Sequence, residues 1–233
     1  MRRSKQAGIN FLNDPKVAER IVSCVDFSGR DVLEIGAGLG QLTKFIKGYR
    51  NFTIIEREAD FADRLKADYP EINIINDDAL KVDWPKFEVF VSNMPYSISS
   101  PLLEKLWNSE FKEGVVTIQK EVADRIIAVP RTKDYSRLSV MMQLKFNVEK
   151  KFDIPPSKFT PAPKVHSTVL RLEKRDTEIQ KGFDDFLKTV FSQRRKKLKN
   201  VIDAEIQGDK RPEELSRDEL LEVFKHANAR RQS

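Results

Sequence analysis

A glycine-rich turn directly after a short apolar run constrains the fold of this chain more than any other feature. Residues 32–35 read as a buried strand, glycines follow at positions 36, 38 and 40, and residues 41–47 are predicted to form a helix. Such a turn lets the backbone approach a ligand closely, and the N-terminus of the following helix favours anionic or polar groups. The segment predicts a ligand at the carboxyl end of a strand in an α/β sheet.

Apolar runs alternate with amphipathic stretches through the first half of the chain. Strands are predicted at 52–55, 72–75, 89–91 and 115–118, with a helix at 59–67. This alternation is typical of βαβ units, whose right-handed crossovers place helices on both faces of a parallel sheet. We therefore predict a Rossmann-like α/β fold with a mostly parallel sheet.

The pattern changes in the second half of the chain. Residues 141–148 and 167–172 read as strands joined by the proline-rich stretch 154–163, where no helix fits, so an antiparallel pair is expected at one sheet edge. From about residue 177 the pattern is helical, and Ser216 with Glu219 resembles a capping box. We place a domain boundary near 175, with an α/β domain at 1–175 and a small helical domain at 176–233.

The spacing of the glycines bears on the identity of the ligand. A dinucleotide fingerprint needs G-x-G-x-x-G, but Gly36, Gly38 and Gly40 are spaced G-x-G-x-G, which suits S-adenosylmethionine better than NAD. Glu56 ends the second strand, where a carboxylate can hold both hydroxyls of a ribose. Asp78 ends the third strand, where a carboxylate can accept from an adenine amine. The alternative is a plain αβ turn with surface acids.

Composition excludes several classes of protein and site. No apolar run approaches the ~18–20 residues that span a bilayer, and the basic N-terminus lacks the apolar stretch of a signal peptide. Cys24 is the single cysteine, and the two histidines, His166 and His226, are far apart in sequence. A disulfide framework and a cysteine- or histidine-based metal site are therefore not expected. We expect a cytoplasmic protein without a metal.

Charge is segregated along the chain, whose net charge is +6. Residues 51–113 hold 7 Lys/Arg and 13 Asp/Glu, whereas residues 131–174 hold 10 Lys/Arg and 4 Asp/Glu. Five cations then fall within six residues: Arg194, Arg195, Lys196, Lys197 and Lys199. Such segregation favours a basic face for a polyanion such as RNA. A solvated surface helix is the alternative.

The segment Asn93-Met94-Pro95-Tyr96 follows the fourth strand and has residue types suited to methylation of an adenine amine. An exocyclic adenine nitrogen is a poor nucleophile because its lone pair is delocalised into the ring. The Asn93 side-chain oxygen and the Met94 carbonyl can hold the two amine hydrogens, and Pro95 stiffens the turn. Tyr96 offers a flat face for base stacking. A β-turn punctuated by Asn and Pro is the alternative.

The chain resembles the ribosomal RNA adenine dimethyltransferase family over residues 10 to about 200. Residues 93–101 resemble the family pattern N-L-P-Y-x-I-S-[ST]-P, with Met94 in place of the usual Leu, and further motifs follow in family order. They are Asn10-Phe11-Leu12, Gln119-Lys120-Glu121-Val122-Ala123-Asp124-Arg125, Tyr135-Ser136-Arg137-Leu138-Ser139-Val140, Phe159-Thr160-Pro161-Ala162-Pro163-Lys164-Val165 and Phe191-Ser192-Gln193-Arg194-Arg195-Lys196.

The resemblance implies a seven-stranded methyltransferase sheet and dimethylation of two adjacent adenines near the 3′ end of small-subunit rRNA during ribosome assembly. It also implies residue roles. Asn10 and Leu12 contact the methyl donor from the N-terminal arm, Asn93 bridges donor and target, and Phe159 closes the target base against Tyr96. Ile9 stands where the family usually has Gln. We expect a monomer that acts on a precursor of the small ribosomal subunit.

Three other functions are alternatives to rRNA methylation. A protein of this fold that only binds the small subunit as an assembly factor is expected to have lost the turn or one of the acids. A DNA adenine methyltransferase shares the tetrapeptide chemistry, but the order of motifs after residue 119 argues against it. An NAD oxidoreductase fails on the glycine spacing.

Overall fold

The computed structural model describes residues 10–231, and only the backbone of 229–231. A seven-stranded sheet has the order β4-β3-β2-β5-β6-β9-β7, and β1 and β8 form a separate two-stranded sheet. The strands are β1 (Phe11–Leu12), β2 (Asp31–Ile35), β3 (Asn51–Ile55), β4 (Asn73–Ile75), β5 (Val89–Asn93), β6 (Glu113–Gln119), β7 (Phe146–Ile154), β8 (Phe159–Thr160) and β9 (Ser167–Lys174).

Seven helices accompany these strands in the described part of the chain. They are α1 (Pro15–Val22), α2 (Ala59–Asp68), α3 (Ser99–Trp107), α4 (Lys120–Ile127), α5 (Arg137–Lys145), α6 (Phe183–Ser192) and α7 (Arg217–Arg231). None of the helices within residues 10–231 is long and apolar enough to cross a bilayer.

The pairing of the strands agrees with the sequence prediction of a mostly parallel sheet. Strands β4, β3, β2, β5 and β6 are parallel, so their carboxyl ends share one edge of the sheet. Strand β9 runs antiparallel to β6, with Ser167 opposite Gln119. The antiparallel edge is therefore confirmed, and the ends of β2, β3, β4 and β5 carry the predicted site residues.

The chain divides into two compact units. The first comprises the chain up to Lys120 together with Val148–Lys174, and the second comprises Glu121–Asn147 and everything from Arg175. The division expected near residue 175 therefore marks only one of the junctions, because the segment that contains most of α4 and all of α5 belongs with the C-terminal helices. In the second unit, Phe183 and Phe224 pack edge to face at 5.3 Å.

Two local predictions were wrong. Residues 41–47 form a 3₁₀ turn at Thr43–Phe45 instead of a helix, with a hydrogen bond from the Phe45 N–H to the Leu42 carbonyl, three residues back. Residues 141–145 are helical and not extended, because Ser136 opens α5 with a capping box in which Ser139 accepts from the Ser136 N–H at 3.0 Å. The strand begins only at Phe146.

The sheet core follows from the apolar runs of the sequence. Val32, Ile54, Val89 and Val115 lie in adjacent parallel strands and are at most 2 % exposed. Strands buried on both faces read as continuous apolar runs, which is why the sequence located them correctly. This rigid core fixes the strand ends at which the candidate site lies.

Candidate functional site

A pocket opens at the carboxyl ends of β2 and β5, within the first unit. Its wall combines the N-terminal arm, the glycine turn and the turn after β5. The residues that line it are Asn10, Phe11, Leu12, Glu34, Gly36, Ala37, Gly38, Gln41, Leu42, Glu56, Phe61, Asn93, Met94, Pro95 and Tyr96. The structure therefore brings together most of the donor and catalytic residues predicted from sequence.

The glycine turn depends on backbone conformations that other residues rarely adopt. Gly36, Gly38 and Gly40 have φ values of 70°, 56° and 75°. A Cβ atom on Gly38 would lie 2.9 Å from the Phe11 ring, so the arm closes directly over this glycine. Gly40 lies outside the pocket wall, and its own Cβ would face Tyr69. Its contribution is to the shape of the turn.

Glu56 follows the last residue of β3 and is 5 % exposed in the pocket wall. One carboxylate oxygen accepts from the Gly38 N–H at 2.9 Å, and the other accepts from the Glu58 N–H at 3.0 Å. These backbone donors tie Glu56 to the glycine turn, and each oxygen keeps a lone pair for a ligand hydroxyl. Burial raises the pKa of the Glu56 carboxyl.

Glu34 is a pocket residue that the sequence analysis did not select. It is 1 % exposed and lies in β2, where its carboxylate accepts from the Thr43 hydroxyl at 2.8 Å. Burial, opposed by that hydrogen bond and assisted by nearby Glu56, raises the pKa of Glu34 to about 8. A charged residue inside the apolar run 32–35 was the available signal, because buried carboxylates are rare without a function.

A second cavity adjoins the first and contains Asp78. Gly36, Glu56 and Pro95 line both cavities, and Asp77, Asp78 and Ile98 line the second. One Asp78 oxygen accepts from the Leu80 N–H at 2.9 Å, which holds the side chain in a local turn. Glu56 thus lies between the glycine turn and Asp78. This order suits a nucleoside whose ribose lies at Glu56 and whose base lies at Asp78.

Hydrogen bonds to β2 and β6 hold the turn after β5 in place. The Ser92 hydroxyl donates to the Ile35 carbonyl at 2.8 Å, which joins the ends of β5 and β2. The Met94 N–H donates to the Thr117 carbonyl at 3.0 Å, and the Met94 side chain is buried. The turn is therefore rigidly placed beside the glycine loop.

The orientation of the Asn93 amide determines what it can bind. Its nitrogen Nδ2 donates to the Asn10 carbonyl at 3.4 Å, so the oxygen Oδ1 remains available as an acceptor in the pocket. Tyr96 is half-buried in the same wall, and its hydroxyl is 2.6 Å from the Ser167 hydroxyl. Burial raises the pKa of Tyr96.

The N-terminal arm reaches the pocket through the small two-stranded sheet. Phe11 pairs with Thr160 and Leu12 pairs with Phe159. Phe159 is 3 % exposed and packs in the hydrophobic core, outside the pocket wall. Phe159 therefore lies beside Leu12, and its role of closing the target base against Tyr96 stays a prediction. Ile9 lies outside the described residues.

The basic cluster lies in the second unit and divides into three kinds of side chain. Arg194 binds Glu213 at 2.7 Å and the Lys133 and Tyr135 carbonyls at 2.9 and 3.2 Å. Lys197 and Lys199 both contact Asp209, at 2.9 and 2.8 Å, and these two ion pairs lower the pKa of Asp209 to about 2. The remaining two members, Arg195 and Lys196, are exposed and have no ion pair with another described residue.

The acceptors that line the pocket fit the polar groups of S-adenosylmethionine. Within residues 10–231 no group of three or more His, Cys, Asp or Glu side chains is arranged to hold a metal ion. Burial raises the pKa of Glu34 and Glu56, and a cationic ligand beside them would stabilise their ionised forms. S-adenosylmethionine carries cationic groups and ribose hydroxyls, which match the carboxylates of Glu34 and Glu56.

Comparison with known proteins places this arrangement in a family. The family model described as ribosomal RNA adenine dimethylase matches residues 2–231. A probable ribosomal RNA small subunit methyltransferase A from Pyrobaculum aerophilum is 43% identical over 94% of this chain and 96% of its own length. A ribosomal RNA small subunit methyltransferase A from Thermotoga neapolitana is 36% identical over 96% of this chain and 91% of its own.

Solved structures show the same fold. A dimethyladenosine transferase from Plasmodium falciparum superposes with a TM-score of 0.86 and 26% identity, over 94% of this chain and 98% of that one. The 23S rRNA methyltransferase ErmE gives a TM-score of 0.67 and 26% identity, over 93% of this chain and 100% of that one. The predicted Rossmann-like methyltransferase sheet is confirmed.

Proposed function

This chain belongs to the ribosomal RNA adenine dimethylase family, and we propose that it transfers methyl groups from S-adenosylmethionine to two adjacent adenines near the 3′ end of small-subunit rRNA. It is an rRNA adenine dimethyltransferase of the small subunit. The observation that carries the finer proposal is the Asn93 amide, whose nitrogen is taken by the arm and whose oxygen remains for the target.

The pocket supports a specific arrangement for the donor. S-adenosylmethionine would supply a sulfonium-activated methyl group here, and its transfer to the adenine nitrogen would leave the thioether S-adenosylhomocysteine and release the amine proton to solvent. Glu56 accepts from the ribose hydroxyls, Asp78 accepts from the donor's adenine amine, and Gly36 and Gly38 allow the backbone to approach. Asn10 and Leu12 cover the donor from the arm, and Phe11 over Gly38 supports that closure.

The turn at Asn93–Tyr96 would prepare the target amine. Oδ1 of Asn93 and the carbonyl of Met94 accept its two hydrogens, which favours a pyramidal nitrogen with a localised lone pair. These acceptors contribute most in the transition state, where the amine becomes more acidic as it attacks. Pro95 and the Met94–Thr117 hydrogen bond keep the acceptors in place, so little reorganisation is needed.

Affinity for the rRNA would come in part from the second unit. Exposed Arg195 and Lys196 are free to neutralise phosphates, and Lys197 and Lys199 can exchange Asp209 for a phosphate. Arg194 instead stabilises the loop that contains Lys133 and Tyr135. Phosphate contacts of this kind position the protein without reading sequence.

Methyl transfer to a defined substrate tests the proposal. Small subunits from a strain that lacks this modification are incubated with the purified chain and donor labelled in its methyl group. Digestion to nucleosides separates mono- from dimethyladenosine, and primer extension locates the modified positions. Dimethyladenosine at two adjacent adenines near the 3′ end supports the proposal. Tight subunit binding without transfer would identify an assembly factor instead.

A further inference from the structure

The hydroxyl groups of Tyr96 and Ser167 form a 2.6 Å hydrogen bond that links the turn after β5 to the start of β9. Ser167 is 0 % exposed, and its register opposite Gln119 is fixed by the β6–β9 ladder. Lys120, the first residue of α4, donates its N–H to the His166 carbonyl at 2.9 Å. The sheet thus fixes the backbone position of Ser167, whose hydroxyl bonds Tyr96.

Tyr96 is held both at its backbone and at the tip of its side chain. At the backbone, the Ser99 hydroxyl donates to the Tyr96 carbonyl at 3.2 Å, and Pro95 precedes it with φ −58°. At the tip, the hydroxyl lies on the long axis of the ring. A hydrogen bond there fixes the direction of that axis, whereas rotation of the ring about the axis is limited by packing alone.

We infer that Ser167 is a positioning residue for methyl transfer, which holds the Tyr96 ring in the orientation that the target base stacks on. This inference rests on the proposed function, because it concerns the target adenine of that same site. Ser167 lies outside the pocket wall and would act only through Tyr96.

The two methyl transfers should depend on the Tyr96–Ser167 hydrogen bond to different degrees. In the first transfer the amine has two hydrogens, and both the Asn93 oxygen and the Met94 carbonyl can hold it. In the second transfer one hydrogen has been replaced by a methyl group, so only one acceptor interaction remains. Stacking on Tyr96 then supplies a larger share of the base's orientation, and loosening of the ring should slow the second transfer more than the first.

Single-turnover methylation of unmodified small subunits, with saturating donor, tests this inference. The variants are Ser167→Ala, Tyr96→Phe and the double variant. Thr168→Val is the matched control, because Thr168 is also 0 % exposed and its hydroxyl bonds Asp153 at 2.6 Å. Neighbouring residues of a strand face opposite sides of the sheet, so this control removes a similar hydrogen bond away from Tyr96.

We expect Ser167→Ala and Tyr96→Phe each to slow the second transfer by about two- to tenfold, the range that one hydrogen bond corresponds to. Monomethyladenosine should accumulate, the dissociation constant of the donor should stay at the wild-type value, and the double variant should be no slower than the slower single one. A merely structural role would lower the melting temperature without changing the ratio of the two products, and Thr168→Val should do no more than that.

Two results would overturn the inference while leaving the proposed function intact. One is a wild-type product ratio and rate in Ser167→Ala. The other is a double variant whose loss is the product of the single losses, which would show that the two hydroxyls act separately. A wild-type chain that makes no dimethyladenosine contradicts the proposed function itself, and this inference with it.

Discussion

The Asn13 side-chain amide donates a 2.9 Å hydrogen bond to the Thr160 hydroxyl, and the Asn13 N–H donates to the Lys158 carbonyl at 2.9 Å. These two bonds continue the β1–β8 pairing beyond its two residues. An ion pair between Lys158 and Asp14, at 2.6 Å, adds to them. The arm that contains Asn10 and Leu12 is thereby joined to the strand of Phe159.

Loosening this connection should weaken donor binding. Asn13→Ala and Thr160→Ala are each expected to raise the dissociation constant of S-adenosylmethionine by about two- to tenfold, because each removes the same hydrogen bond. The double variant should bind no more weakly than the weaker single one. Isothermal titration calorimetry measures all three, and unchanged affinity would show that the arm does not cover the donor.

The buried carboxyl of Glu34 should make stability depend on pH. Because its pKa is raised to about 8 from an ordinary value of 4.5, the folded chain retains a proton there that the unfolded chain releases. The stabilisation by this proton is complete below about pH 4.5 and is lost as the pH rises through about 8. We expect the melting temperature without donor to fall across this range, and to fall less in Glu34→Gln.

Donor binding should reverse part of that loss. A cationic ligand favours the ionised form of Glu34, so its affinity should increase as the pH rises toward 8. Thermal melts with and without S-adenosylmethionine at several pH values measure both effects. The same pH dependence in wild type and Glu34→Gln would assign the effect to another group.

Glu56 should be the main ribose contact. Glu56→Ala is expected to weaken donor binding by roughly 1–3 kcal/mol, because two hydroxyls lose their acceptor and the Gly38 N–H loses its partner. Asp63→Ala is the matched control, since the Asp63 side chain is 77% exposed on α2. Calorimetry that finds equal affinity in both variants would remove Glu56 from the donor site.

The basic cluster should separate into phosphate-binding side chains and a structural arginine. A double variant, Arg195→Ala with Lys196→Ala, is expected to flatten the dependence of log affinity on log salt by ~0.7 for each phosphate of single-stranded RNA that the protein no longer neutralises. Arg194→Ala should instead lower the melting temperature, because Glu213 loses its ion pair. Lys188→Ala, on α6 of the same unit, is the charge control.

If the double variant binds pre-ribosomal RNA with the wild-type salt slope, these two side chains form only a solvated surface. If Arg194→Ala changes the slope at an unchanged melting temperature, its role is to bind phosphate directly.

The features that sequence could predict are those encoded in consecutive residues. Apolar runs located the parallel strands, and the ends of those runs located Glu56, Asp78 and Asn93. Ser136 and Ser139, three residues apart, could have indicated the start of α5, because serine at both positions forms a capping box. The apolar residues at 141–148 obscured that signal.

Features that depend on distant residues could not be predicted. Tyr96 meets Ser167 across 71 positions, and Asn13 meets Thr160 across 147. The sequence also could not distinguish paired from unpaired cations, because the carboxylates of Asp209 and Glu213 reach the cluster only through folding of the second unit. For the same reason it did not show that Phe159 is buried beside Leu12.

The central claim is that the Asn93 oxygen holds the target amine during transfer. Asn93→Ala is expected to slow methyl transfer about a hundred- to thousandfold, the loss of ~3–4 kcal/mol that removal of such an acceptor can cause. Affinity for the subunit should change little, because the interaction with the target amine matters most in the transition state. Asn73→Ala, at the start of β4 in the same unit, is the control.

Single-turnover transfer from labelled S-adenosylmethionine to unmodified small subunits, with subunit binding measured in parallel, tests this claim most directly. The account predicts that Asn93→Ala binds subunits with near wild-type affinity and forms almost no methylated adenosine, while Asn73→Ala binds and methylates them like the wild type. An Asn93→Ala variant that produces dimethyladenosine at close to the wild-type rate would contradict it.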